Sequence, residues 1–202
     1  AEIMYSIIHM RSPRERMVVS AALLIRERGA RATAISDVLA HSGAPHGSAY
    51  HHFPGGRTQL LCEAVDFAGD HIASLIADAD SGLALLDTLI EKYREQLLAT
   101  EFRAGCPIAA VSVEAGFDQE DRDRMAPVVE HAAVVFDRRS DLITQRFIAD
   151  GFAAERAGEL AEFATAALEG ALLLARVRRD LAPLDLVHRQ LRELVERNLS
   201  HE

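Results

Sequence analysis

Four of the nine histidines in this 202-residue chain fall at positions 41, 46, 51 and 52. Imidazoles gathered this closely could ligate a metal, move protons in catalysis, or hydrogen-bond an anion. Each chemistry asks for a different arrangement. On one helix His46 and His51 point about 140° apart, and His51 and His52 about 100° apart, so they do not converge on an ion. No His-Glu-x-x-His, no Gly-x-Ser-x-Gly elbow and no phosphate-cradling glycine loop occurs in the chain, so nothing sets a nucleophile beside its base. Neither a metal, a cofactor nor an enzymatic activity is expected. The third chemistry fits better. From Val38 to Cys62 there is no Asp or Glu, in a chain of formal net charge −9. A surface pressed on phosphates must lack carboxylates, which would add repulsion and an uncompensated desolvation cost. Neutral imidazole and hydroxyl groups can still bond phosphates and bases.

The elements that position this window are helices. Val18, Ala21, Ala22 and Ile25 form one apolar stripe on a helix spanning roughly 13–28, with Pro13 in its first turn and Gly29 just past its end. Thr33 is expected to cap a second helix carrying Ile35, Val38 and Leu39, which stops at Ser42-Gly43. Pro45 opens a third, running to about His52, and Pro54-Gly55-Gly56 breaks the chain before a fourth near Arg57. Two short helices joined by a glycine-containing turn, behind a longer one, describe a helix-turn-helix, whose second helix enters the DNA major groove. The apolar stripe of the first helix, with Ile35, Val38, Leu39, Ala49 and Phe53, is its expected core. His46, Gly47, Ser48, Tyr50 and His51 are its expected outer face, with Gly47 allowing close approach of the backbone.

The run "GARATAISDVLAHSGAPHGSAYHHF" resembles the DNA-binding signature of the TetR family of transcriptional regulators, through Gly29, Thr33, Asp37, Gly43, Gly47, Tyr50 and Phe53. The turn "HHFPGGRTQL" and the mid-chain "GCPIAAVSVEAG" resemble the LmrA/YxaF-like subgroup. The resemblance implies base contacts near Pro45 and His46, where many members carry Lys or Arg. It implies phosphate contacts from Thr33, Ser48, Tyr50, His51, His52 and Arg57. It also implies a homodimer on a palindromic double-stranded operator, released by a small-molecule effector.

Beyond the window the chain reads as all-α throughout, about nine helices, with no alternating strand pattern and no repeat. Residues 1–10 are set aside as an artificial or disordered leader, 11–56 are assigned to the DNA-binding domain, and 57–202 to a larger helical effector and dimerisation domain. Residues 1–61 carry a net of +3 and residues 62–202 a net of −12, so the first part tolerates a polyanion and the second repels one. Two cysteines without ligand spacing point to free thiols and a cytoplasmic setting, and no segment is apolar for long enough to span a membrane.

In the second part, the segment 154–179 is apolar on more than one face, and Leu184, Val187, Leu191 and Leu194 align on the last helix. With Gly170 and Leu173 they are the expected dimer interface. Phe102, Cys106, Phe117, Met125, Phe136, Phe147 and Phe163 are candidate effector-pocket residues. Glu114 and Glu169 join them because each interrupts an apolar stretch, and a buried carboxylate needs a partner, here expected within the chain. The alternative function is a helical small-molecule-binding or enzymatic protein that no longer reads DNA; a dimeric scaffold with neither activity is the third.

Overall fold

A computed structural model describes residues 12–45, 47–114 and 119–199; the leader, His46 and Phe117 lie outside them. Among the described residues there are nine helices and no strand: α1 Pro13–Arg28, α2 Ile35–Ser42, α3 Ser48–His52, α4 Gly56–Asp78, α5 Gly82–Ala99, α6 Pro107–Val113, α7 Gln119–Ala149, α8 Ala154–Arg178 and α9 Ala182–Leu199. None is long and apolar enough to cross a membrane. The chain divides into two compact units, one of residues up to Gly69 with Cys106–Val135, the other of Asp70–Gly105 with Phe136 onward.

The first unit is built around α1. Ser12 and Glu15 cap its start reciprocally: the Glu15 N–H donates to Ser12 Oγ at 3.3 Å, and the Ser12 N–H to Glu15 Oε2 at 2.9 Å. Pro13 follows in the first turn, and Gly29 ends the helix with φ +89°. Met17, Ala21 and Ile25 are fully buried, and α2, α3 and α6 pack on this helix. Met17 and Ile25 each contribute about 1.5–3 kcal/mol by leaving water. Val38 and Leu39 of α2, Ala49 of α3, Phe53, and Ile108 and Val111 of α6 are buried in the same unit.

Two local expectations are corrected. Thr33 does not cap α2. Its hydroxyl donates to Gly29 O at 2.8 Å, and Ala34 takes the cap position, its N–H received by the Asp37 carboxylate at 3.1 Å. The third helix starts at Ser48, not at Pro45, because the Ser48 N–H and hydroxyl both donate to Pro45 O, at 2.9 and 2.6 Å, closing a turn first.

In the second unit α9 packs on α5 and α8. Leu184, Leu191 and Val195 of α9 are buried with Leu160, Ala164, Leu168, Ala171 and Leu172 of α8. Polar pairs hold α5 to α9: Arg94 with Asp185, and Asp87 with both His188 and Arg192. The start of α5 is fixed by the Gly82 N–H, which donates to Asp150 Oδ2 at 2.5 Å.

Candidate nucleic-acid interface

The turn between α2 and α3 depends on Gly43, whose φ of +63° is left-handed. Ser42, 4% exposed, stabilises it: its hydroxyl donates to Leu39 O and accepts from the Ala44 N–H. Arg16 of α1 donates to Ser42 O at 3.2 Å, tying the turn to the supporting helix. The short α3 then has two faces. Ala49 and Phe53 point inward, 2% and 1% exposed. Gly47, Tyr50 and His51, at i, i+3 and i+4, are all exposed, Tyr50 at 80%, and Pro45 is exposed beside them. An aromatic ring so open to water makes no contribution to the core. It is placed to meet something else.

Two carboxylates on the neighbouring helices are engaged. Asp37 pairs with Arg28 at 2.9 Å, and Glu63 with Arg14 at 2.7 Å and with Gln59 at 2.9 Å. The outer face of α3 is therefore neutral to basic, with donors on Tyr50 and His51. His52 is half-buried, its ring edge-on to Phe53 at 6.5 Å between centroids, which is a packing position.

Three residues expected at phosphates are placed otherwise. Thr33 is 1% exposed and its hydroxyl is engaged internally, so it offers no donor to the exterior. Ser48 directs its hydroxyl to Pro45 O. Arg57 turns into the protein, donating to Ala30 O and, at 3.0 Å, to Thr33 O. Burial lowers the Arg57 pKa, and the Glu114 charge opposes that. Arg31, exposed in the loop before α2, escaped the sequence reading; an isolated arginine in a loop carries no periodic signal.

The residues predicted for an effector pocket are divided between the two units. Cys106, Glu114 and Met125 fall in the first unit, and Phe102, Phe136, Phe147, Phe163 and Glu169 in the second. Phe147 is core, 1% exposed and 5.3 Å from the Phe152 ring. Phe163 is 55% exposed. Glu169 has the intramolecular partner its burial required, Arg139 at 3.0 Å; that guanidinium is 7% exposed and lies over the Phe136 ring. Glu114 is half-buried and accepts the Arg31 N–H at 2.8 Å. Among the described residues no group of three His, Cys, Asp or Glu could hold a metal ion.

The expected dimer residues also separate. Leu184 and Leu191, 0% and 2% exposed, are corrected to the protomer's own core, since α9 turns that stripe onto α5 and α8. Val187 and Leu194 are half-buried. Gly170 and Leu173 are exposed, and they belong to a longer stripe on α8: Phe163, Ala166, Gly170, Leu173 and Val177, spaced alternately by three and four. Leu173 is 61% exposed and Val177 76%, with Leu186 of α9 at 51%. The heptad spacing was a signal available in the sequence.

The family described as "Transcriptional regulator LmrA/YxaF-like, C-terminal domain" matches residues 83–190. The HTH-type transcriptional regulator Rv0196 of Mycobacterium tuberculosis is 76% identical over 186 residues, which cover 92% of this chain and 95% of the relative. YxaF of Bacillus subtilis, also an HTH-type regulator, is 28% identical, covering 91% of this chain and 95% of its own length. A TetR regulator of Legionella pneumophila shares the fold, with a TM-score of 0.75, 19% identity, and coverage of 91% and 97% of the two chains. The chain thus belongs to the TetR family of helix-turn-helix transcriptional regulators, in its LmrA/YxaF-like group.

Proposed function

We propose that this regulator is a cytoplasmic homodimeric repressor that binds a palindromic DNA operator and is released by a small molecule. The observation that carries DNA reading is the outer face of α3. Gly47, Tyr50 and His51 stand exposed, in a stretch of sequence without Asp or Glu, on a helix whose inner face is locked by Ala49 and Phe53. Pro45 and His46, on the approach to that helix, are assigned to bases, and Tyr50 and His51 to phosphates or bases. His52 packs on Phe53 and backs the face rather than extending it. The reading domain is assigned to residues 11–56, and effector binding and dimerisation to 57–202.

The α8 stripe supports the dimer in this reading. A row of exposed apolar residues this continuous is costly in water and is covered most simply by its own copy across a two-fold axis. Ala166 and Gly170, at its centre, let two α8 helices approach closely. Two copies of α3 then read half-sites about 34–36 Å apart. The effector must favour the arrangement that does not bind DNA, since equal affinity for both arrangements shifts nothing.

Salt dependence tests the reading. Titration of a genomically selected duplex at several salt concentrations should give log K falling linearly with log[salt], with a slope set by the phosphates neutralised. A flat dependence, or no duplex retained in the selection, would favour a small-molecule-binding protein that no longer reads DNA.

A further inference from the structure

The loop from Gly29 to Ala34 joins α1 to α2, the first helix of the helix-turn-helix. Within it the Thr33 N–H donates to Ala30 O at 3.0 Å, and the Thr33 hydroxyl to Gly29 O. Main-chain groups in such a loop must find partners elsewhere, and here two side chains distant in sequence supply them. Arg57 of α4 donates to Ala30 O and Thr33 O. Glu114, at the C-terminal cap of α6, accepts the Arg31 N–H through Oε2 at 2.8 Å.

Glu114 also sets the identity of a neighbour. Its Oε1 lies where a Cβ on Gly29 would be, so any side chain at 29 would drive the carboxylate out. Gly29 is left-handed as well. The carboxylate thus fills a space that only glycine leaves open. Beyond it, α6 is docked on α1 by Ile108 and Val111, both fully buried. A shift of α6 of about an ångström would carry the 2.8 Å contact past hydrogen-bonding range and leave the Arg31 amide without its acceptor.

We propose that Glu114 is a positioning residue for DNA reading, a latch from the end of α6 to the loop before α2. Latched, the loop holds α2 and α3 in the operator-binding arrangement. Released, the loop loosens and affinity falls. This deepens the regulator reading and rests on it, since it names a contact that holds the reading helices in place.

The test compares the full-length protein with Glu114→Ala and Glu114→Gln on a genomically selected duplex, and follows amide hydrogen exchange across residues 29–34 of the free protein. A lost charge-assisted hydrogen bond predicts operator affinity about tenfold weaker in Glu114→Ala. Faster exchange in the loop and an unchanged oligomeric state should accompany it. Glu114→Gln keeps an acceptor oxygen and should bind within about threefold of the parent, which a merely destabilised fold would not explain. Parental affinity in Glu114→Ala, or a Glu114→Gln as weak as Glu114→Ala, overturns the latch while leaving the regulator reading intact. A parent protein that binds no duplex overturns both.

Discussion

The guanidinium of Arg14 stands over the ring of Phe53, 5.4 Å from its centroid. One residue lies in the first turn of the supporting helix and the other ends the reading helix, so the pair joins the two ends of the DNA-reading core. Arg14 also pairs with Glu63 of α4. Three helices therefore meet at this cation–π contact.

Phe53 is 1% exposed, so removing its ring leaves a cavity at that junction. Phe53→Ala should lower stability by about 3–5 kcal/mol in urea denaturation, and Phe53→Leu by distinctly less. Equal midpoints for Phe53→Ala and the parent would mean that α3 is not held by this core.

The α8 stripe predicts its own disruption. Val177→Asp places a charge where the partner helix is expected, and should give a folded monomer in sedimentation at micromolar concentration. Gly170 has open space around it in the protomer. Gly170→Ala should therefore raise helix stability by up to about 1 kcal/mol, whereas Gly170→Leu should weaken the dimer by separating the helices. A dimer untouched by both Val177→Asp and Gly170→Leu would place the interface elsewhere.

Arg139 and Glu169, with side chains 7% and 18% exposed, form a pair worth breaking one side at a time. Arg139→Met alone leaves a largely buried carboxylate without its ion-pair partner and should cost about 3–5 kcal/mol. Adding Glu169→Leu should recover most of that loss, because an apolar pair of similar volume has no charge to desolvate. A double variant no more stable than the single one would show that the pair's packing, not its charge, matters.

Asp87 gives a pH signature. Burial works to raise its pKa, but the hydrogen bonds from Arg192 and His188, with their charges, outweigh burial and hold it below the ordinary value. A carboxyl lowered on folding contributes stability above its unfolded pKa, about 3.9, and loses it as pH falls through the lower folded value. The difference in melting temperature between the parent and Asp87→Asn should narrow as pH falls below about pH 4. A difference that persists in strong acid would contradict the lowered value.

Much of this architecture was legible from punctuation. Pro13 and Gly29 bound α1 as read, because a proline suits a first turn and a left-handed residue past the end favours glycine. The acid-free window marked the exposed face of α3 for an equally local reason. What escaped depends on contacts distant in sequence. Nothing near Thr33 shows that its hydroxyl turns back to Gly29 O, nor near Arg57 that its guanidinium is taken by loop carbonyls 24 and 27 residues away. Glu114 was marked as a carboxylate needing a partner, but a main-chain N–H 83 residues earlier leaves no pattern in sequence. On α8 and α9 the difficulty was choosing among apolar faces: periodicity shows that Leu184 and Leu191 share a stripe, not that the stripe faces inward.

DNA reading by the exposed face of α3 is tested by the affinity of His46→Ala/Tyr50→Ala for the duplex that the parent selects. Tyr50 is 80% exposed, so its removal should leave melting temperature nearly unchanged. The account predicts a loss of operator affinity of about 100-fold or more in fluorescence anisotropy, the sum expected for two lost contacts of about 1–3 kcal/mol each, with the dimer intact in sedimentation. A double variant that binds the same duplex as tightly as the parent would remove α3 from DNA recognition and contradict the account.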